Sequence, residues 1–216
     1  MNQIPRITVK AVPFHYVEGQ LLVALVSRLH EKPQSWRLPE TDVYNVHTSL
    51  QYLEQMLRTK CGLTPRNVRY REQLYTFEEP SPDIHPKNTL CLTYLYLSDE
   101  LVWHKGSDHI GLFPIHALPP LSPLDTRIIH YATERLQAKA LYTTLPAFLL
   151  PTTFTLDRYQ QVFETLTGKT VDRRNFRKKL RTLGAITPAT SNSSQQNGGT
   201  KYTLVDQQLS ILPKSF

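Results

Sequence analysis

The feature that most constrains the fold is a pair of helices with marked ends between residues 155 and 184. Thr155 is placed to cap the first helix and Asp172 the second, because their side-chain oxygens can accept hydrogen bonds from free amide groups. Gly168 and Gly184 follow the two helices, and glycine readily adopts the left-handed conformation that ends a helix. Two helices joined by so short a turn predict a helix–turn–helix motif.

Apolar residues at helical spacing give each of these helices one buried face. They are Leu156, Tyr159, Val162, Phe163 and Leu166 in the first helix, and Phe176, Leu180 and Leu183 in the second. Two short strands follow, AITP and KYTLV, on either side of the polar stretch ATSNSSQQNGG, which we expect to be mobile. A helix–turn–helix followed by a hairpin predicts a winged helix.

Charge is concentrated in the same part of the chain. Residues 151–216 hold 10 Lys and Arg against 4 Asp and Glu, so they carry +6 of the total formal charge of +7. Basic side chains at i and i+4 repel one another along the second helix, which favours an anionic partner. A solvated basic face and an RNA ligand are the alternatives, but no aromatic stacking platform accompanies the charge, so we prefer duplex DNA.

A helix fits the major groove with its amino end near the base edges, while basic side chains contact phosphates. We therefore expect the first three positions to read bases and the later ones to hold the backbone, with one lysine of the hairpin as a further phosphate contact. The predicted DNA-binding residues are Arg173, Arg174, Asn175, Arg177, Lys178, Arg181 and Lys201.

The first 140 residues predict an α+β unit. ITVKAVPFHY and QLLVALVSR read as a hairpin turning at Gly19, and a helix from Thr48 ends at Gly62. Strands are predicted at VRYREQLYTF, at TLCLTYLYL and near GLFPI, and a second helix from Pro123 to about Lys139 is capped by Ser122.

The two cysteines are too few for a disulfide framework, and the eight histidines have no metal-site spacing, so no metal is predicted.

The segment LLPTTFTLDRYQQVFETLTGKTVDRRNFRKKLRTLGAI closely resembles the winged-helix signature of Nudix-related transcriptional regulators, typified by the bacterial repressor of NAD metabolism. The resemblance implies a Nudix-like mixed-sheet α/β/α sandwich over residues 1–145 that senses a ligand and dimerises. It also implies a winged helix-turn-helix domain over residues 146–216 that binds a palindromic operator. The implied partners are operator DNA, a small-molecule effector and a second copy of the chain.

The resemblance also allows the Nudix hydrolase motif to be aligned on Gly62 and Leu63. The motif's first glycine falls on Thr41, its isolated glutamate on His47, and its R-E-U-x-E-E stretch on residues 55–60, read as QMLRTK. No motif glutamate is present, whereas Mg²⁺ requires oxygen ligands. We therefore predict no catalytic residue, no cofactor and no hydrolase activity. The alternative is a divergent pyrophosphohydrolase that uses Glu78, Glu79 or Asp83.

In the family, QLYTF precedes an arginine-rich turn that can contact the phosphates of an ADP-ribose-like ligand. Here the turn reads EEPSPDIHPKN, in which His85 and Lys87 are the candidate contacts, and Arg37 and Tyr75 complete the candidate effector set. An ADP-ribose-like nucleotide, another metabolite such as a sugar, and a role in dimerisation alone all remain open.

The predicted function is that of a transcriptional regulator, most simply a repressor. Besides the divergent hydrolase, the other alternative is an architectural protein that binds RNA or DNA without sequence preference. The longest apolar run, 21–26, is too short to span a membrane, and the start of the chain has no apolar signal core. We therefore expect a cytoplasmic protein that is nucleoid-associated when bound to DNA.

Overall fold

The computed structural model describes residues 6–27, 35–43, 49–79, 89–99, 109–189, 200–213 and 216. By packing, the chain forms two compact units. One comprises Met1–His15 and Leu22–Ala132, and the other comprises Tyr16–Leu21 and Thr133–Phe216. The predicted domain boundary at residues 145 and 146 stays a prediction.

The first unit is built on a mixed sheet, as predicted. The sheet's strands are β1 (Arg6–Val17), β2 (Gln20–Ser27), β3 (Trp36–Arg37), β4 (Glu40–Asp42), β5 (Val68–Glu79), β6 (Thr89–Ser98) and β7 (Ile110–Pro114), and the turn end of β1 and β2, Tyr16–Leu21, is assigned to the other unit. The main order is β3-β2-β1-β6-β5, with β4 paired to β1 and β7 to β2. β1 and β6 run parallel, whereas β5 and β6 are antiparallel. At the turn between β1 and β2, Glu18 and Gly19 both have positive φ, which suits a tight hairpin.

Helix α1 (Ser49–Cys61) packs on this sheet and confirms the helix predicted there. Leu53 and Leu57 are buried, and they belong to one apolar cluster with Val9 and Ala11 of β1. Gly62 follows the helix with a φ of 63°, the left-handed conformation that ends a helix without a Cβ penalty.

Helix α2 (Pro123–Ala140) begins at the predicted cap, because Ser122 Oγ accepts a hydrogen bond from the Asp125 amide at 3.1 Å. Asp125 is almost fully buried and lies 2.5 Å from Lys10 Nζ, and its second oxygen accepts from the Leu38 amide. Glu40 lies 3.2 Å from the same lysine. Burial lowers the pKa of Lys10, but Asp125 and Glu40 outweigh it and raise that pKa. The charged lysine is thus stabilised inside the unit.

The second unit contains the predicted winged helix. Helix α3 (Leu156–Thr167) and helix α4 (Arg173–Thr182) are followed by β9 (Ile186–Pro188) and β10 (Lys201–Leu204), which pair antiparallel. The sequence did not indicate a third strand, β8 (Phe154–Thr155), which pairs with β10. Of the hairpin tip that was expected to be mobile, residues 189–199, all but Ala189 lies outside the described residues.

The end of the chain closes this unit in a way that the sequence did not reveal. Residues 141–144 and 210–216 exchange backbone hydrogen bonds, including Leu212 N to Tyr142 O at 2.8 Å. The ring of Phe216 packs 4.9 Å from that of Phe163 and 4.8 Å from that of Phe176, centre to centre. A buried 3-10 helix (Leu145–Leu149) precedes the winged helix. No helix in the described ranges is long and apolar enough to cross a lipid bilayer.

Candidate nucleic-acid interface

Helix α4 is fixed at both ends by its own sequence. Asp172 Oδ1 accepts from the Asn175 amide at 2.8 Å, which confirms the predicted cap, and Gly184 has a φ of 67°. Phe176 and Leu180 are buried as expected, whereas Leu183 is only half-buried. With its apolar face buried, the helix presents its polar residues outward.

Near the amino end and middle of α4, the predicted DNA-binding residues Arg174, Asn175 and Lys178 are exposed. Within the described ranges, neither Arg174 nor Lys178 forms an ion pair. Arg174 and Lys178 are one helical turn apart, so their charges lie on the same side of the helix.

Two other predicted residues are held by a carboxylate of helix α3. Arg173 Nη2 lies 3.0 Å from Asp157 Oδ1 and 3.2 Å from its Oδ2. Arg177 Nη2 donates to the same Asp157 Oδ1. The like-charge repulsion expected between Arg173 and Arg177 is therefore offset inside the protein.

The remaining basic residues connect α4 to the rest of its unit. Arg181 Nη2 donates to Tyr202 Oη of β10 at 3.1 Å, and Lys179 Nζ lies 5.0 Å from the ring centre of Phe216. Lys201 is exposed at the start of β10. These contacts place the basic helix and the wing strand in one packed unit.

This arrangement has the chemistry of a duplex-binding surface. Helix α4 carries the exposed guanidinium of Arg174, the carboxamide of Asn175 and the ammonium group of Lys178. In the major groove, such groups can form hydrogen bonds with base edges or phosphates. The assignment of the seven individual DNA-binding residues stays a prediction.

At the motif positions of the first unit, the described side chains offer poor ligands for Mg²⁺. Thr59 Oγ1 already donates to the carbonyls of Gln55 and Met56, at 2.9 and 3.2 Å. His47 and the Lys60 side chain lie outside the described residues. Among the residues that the structure describes, no three His, Cys, Asp or Glu side chains form a metal-binding group.

Of the three carboxylates of the enzyme alternative, Glu78 is the one whose side chain lies in the described residues. Glu78 is exposed at the end of β5, and its backbone carbonyl accepts from Arg127 at 3.2 Å. Asp83 and the side chain of Glu79 lie outside the described residues.

The two candidate effector residues that the structure describes do not lie together. Arg37 lies on β3, where it pairs with Glu40 at 3.1 Å, and Tyr75 lies on β5 with about half of its surface exposed. Those strands are at opposite ends of the main strand order, four steps of about 4.8 Å apart, so the two side chains are not neighbours. His85 and Lys87 lie outside the described residues.

A cleft of about 710 Å³, which no sequence pattern indicated, lies between α1 and the start of β5. Its lining includes Arg58, Arg69, Tyr70 and the ion pair between Glu54 and Arg71. Of the aligned motif stretch, Gln55, Leu57 and Arg58 line the cleft, whereas Met56 and Thr59 do not. The cleft therefore adjoins part of the motif helix.

Comparison with known proteins identifies the second unit. Residues 146–202 match the family model described as the NrtR DNA-binding winged helix domain. They form a winged helix of the NrtR type. This match covers the capped helices α3 and α4 and reaches the wing strand β10, and so contains the basic surface described above.

Most of the chain is similar to a protein named as a transcriptional repressor and to a solved NrtR structure. It is 25% identical over 191 residues to the ADPR responsive transcriptional repressor NtrR of Acinetobacter baylyi, which covers 84% of this chain and 74% of the relative. It is also similar to the crystal structure of Shewanella oneidensis NrtR, with a TM-score of 0.79, 25% identity and coverage of 98% and 100% of the two chains.

Two further structures agree with this fold. Shewanella oneidensis NrtR complexed with a 27mer DNA gives a TM-score of 0.77 at 25% identity, covering 97% of this chain and 99% of the other. A MutT/nudix family protein from Enterococcus faecalis gives 0.71 at 20%, covering 94% and 88%, and shows likeness of fold alone. The predicted resemblance to Nudix-related regulators is confirmed, and residues 146–202 match a family of DNA-binding winged helix domains.

Proposed function

We propose that this chain represses transcription in the cytoplasm by binding a palindromic operator as a homodimer, with α4 in the major groove. The observation that carries the proposal is the exposed set Arg174, Asn175 and Lys178 on the capped helix of an NrtR-type winged helix. The A. baylyi relative is named a repressor, and the S. oneidensis relative is described with bound DNA, which supports duplex DNA as the partner.

The small size of the reading surface supports the proposed dimer. Helix α4 has 10 residues, so one copy contacts only a few base pairs. Two copies related by a two-fold axis double these contacts and require an operator with matching symmetry. A complex of two chains per duplex, measured by analytical ultracentrifugation, is the expected result; one chain per duplex contradicts the dimer.

Operator binding is tested by selecting genomic fragments on the full-length protein and then measuring affinity by fluorescence anisotropy. We expect an inverted repeat to be enriched, with an affinity about 10³-fold or more above that of a scrambled duplex at the same salt concentration. Equal affinity for both duplexes would contradict a regulator and favour an architectural DNA-binding protein.

We propose an ADP-ribose-type nucleotide as the effector of the Nudix-like unit. The A. baylyi relative is named ADPR responsive, and the fold is shared with a Nudix family protein. Because an effector changes operator affinity only if it prefers one state of the protein, ADP-ribose should shift the anisotropy titration and raise the Tm. We propose residues 140–151 as the segment that transmits the shift. If ADP-ribose has no more effect than AMP or ribose 5-phosphate on either readout, this effector class is wrong.

We propose that the Nudix-like unit is not catalytic. Its motif positions hold Met56, Thr59 and Lys60 in place of carboxylates, and the Thr59 hydroxyl is engaged by its own helix. Incubation with Mg²⁺ and ADP-ribose should give no AMP above a blank by chromatography. Turnover that is lost in a Glu78→Gln variant would instead support the hydrolase.

A further inference from the structure

Asp157 is the single carboxylate to which two arginines of α4 are paired within the described part of the second unit. It lies in the first turn of α3, and its side chain is 50% exposed. Both of its oxygens contact Arg173, and Oδ1 also accepts from Arg177. Arg177 is the more enclosed of the two arginines, with 25% of its side chain exposed against 65% for Arg173.

We infer that Asp157 determines the specificity of DNA binding by withholding Arg173 and Arg177 from DNA phosphates. This inference rests on the proposed operator binding by α4. The negative charge of Asp157 offsets part of the positive charge that Arg173 and Arg177 present, and it holds their Nη2 groups away from other acceptors. Each contact of these arginines with a phosphate therefore gains less than a contact of an unpaired arginine.

The consequence concerns the balance between binding to any duplex and binding to the operator. Non-specific affinity depends on the number of phosphates that a protein neutralises. With Arg173 and Arg177 engaged by Asp157, the exposed Arg174, Asn175 and Lys178 supply a larger share of the interaction. Fewer free arginines lower the affinity for unrelated DNA, so the ratio of operator to unrelated affinity rises.

The experiment compares the Asp157→Asn variant with the wild-type full-length protein on the selected operator and on a scrambled duplex over a range of salt concentrations. The side-chain shape is retained while the charge that holds both arginines is removed. For the scrambled duplex, the slope of log affinity against log salt concentration should become steeper by about 1–2, because one or two arginines gain phosphates. The affinity for that duplex should rise several-fold and the specificity ratio should fall.

Asp206→Asn is the matched control, because Asp206 is exposed and the same single charge is removed. Within the described residues Asp206 has no ion pair with an arginine. If both variants change the slope equally, or if Asp157→Asn weakens binding to both duplexes, the inference is overturned. If the wild-type protein binds no duplex at all, the proposed function fails and the inference fails with it; normal wild-type specificity with an inert Asp157→Asn contradicts the inference alone.

A second pair of variants keeps the test independent of how well Asp157→Asn folds. In the wild-type background, Arg174→Gln should reduce the salt slope on scrambled DNA by about 1, whereas Arg173→Gln should change it clearly less. Equal losses for the two variants would show that Arg173 is not withheld. Thermal unfolding of each variant checks that the protein is folded at the assay temperature.

Discussion

Arg181 Nη2 donates a hydrogen bond to Tyr202 Oη at 3.1 Å, and the guanidinium carbon lies 5.8 Å from the centre of the same ring. The pair joins the middle of the wing sheet to the last turn of α4. Because Tyr202 is buried and Arg181 extends toward it from the exposed side, the contact fixes the helix against the wing within one unit.

The Tyr202→Phe variant tests this link. It removes the hydrogen bond but retains the ring, so the free energy of unfolding should fall by about 0.5–1.5 kcal/mol in urea denaturation. Tyr142→Phe is the control, because Tyr142 is exposed and its change should stay within about 0.5 kcal/mol. A Tyr202→Phe variant as stable as the wild type would show that the hydrogen bond does not stabilise the fold.

Phe216 should stabilise the winged helix although it is distant from it in sequence. Its ring contacts Phe163 and Phe176, and Lys179 lies above it. Because two aromatic contacts and some apolar burial are lost, Phe216→Ala should lower the free energy of unfolding by about 1–3 kcal/mol. Thermal and urea unfolding measure the loss, and Phe216→Leu should recover part of it. If Phe216→Ala leaves both unfolding curves unchanged, the contacts of this ring do not matter for stability.

The buried hydroxyl of Tyr159 has no partner in the described part of the chain. Its ring is fully buried, its Oη has no hydrogen-bond partner among the described residues, and burial raises the pKa of the phenol. Since an unsatisfied buried hydroxyl costs free energy, Tyr159→Phe should be neutral or stabilising by about 1 kcal/mol at pH 7. A loss of more than about 1 kcal/mol in urea unfolding would show that the hydroxyl has a partner.

Lys10 should be essential to the stability of the first unit. Lys10→Met leaves Asp125 buried without its counter-charge, which should cost about 3–5 kcal/mol in urea unfolding. Lys169→Met, at an exposed lysine, should change stability by less than about 0.5 kcal/mol. Similar effects of the two substitutions would contradict the importance of the buried pair.

The same lysine predicts a pH dependence. Because the pKa of Lys10 is raised above 10.5 in the folded protein, its contribution is complete below pH 10.5 and is lost as the pH rises through the folded value. Burial also raises the pKa of Cys91 to about 11, so the unfolded thiol, with a pKa of 9.0, ionises first. Both groups therefore make stability fall at alkaline pH. Lys10→Met should show a shallower fall above pH 10.5 than the wild type.

Most of the winged helix could be predicted from the sequence, because helix ends are determined by a few neighbouring residues. The caps at Thr155 and Asp172 and the exit at Gly168 depend on a few neighbouring residues, and each was found where the sequence indicated. The two-residue strand β8 was missed, because two residues show no periodicity and gain their strand character only by pairing with β10.

Long-range contacts explain what the sequence could not predict. Asp157 reaches Arg173 and Arg177 across 16 and 20 residues, which depends on how α3 and α4 cross and not on either helix alone. Phe216 is a similar case, because an isolated aromatic residue has no pattern. The effector residues were inferred from a family pattern, and strand order separates Arg37 from Tyr75.

The measurement that tests the central claim most directly compares Arg174→Ala and Lys178→Ala on the selected operator and on scrambled DNA. If α4 reads the groove, Arg174→Ala should cost about 1–3 kcal/mol on the operator and less on scrambled DNA. Lys178→Ala should weaken both and reduce the salt slope by about 1. Equal losses for both variants on all duplexes, or no loss at all, would contradict sequence reading by this helix.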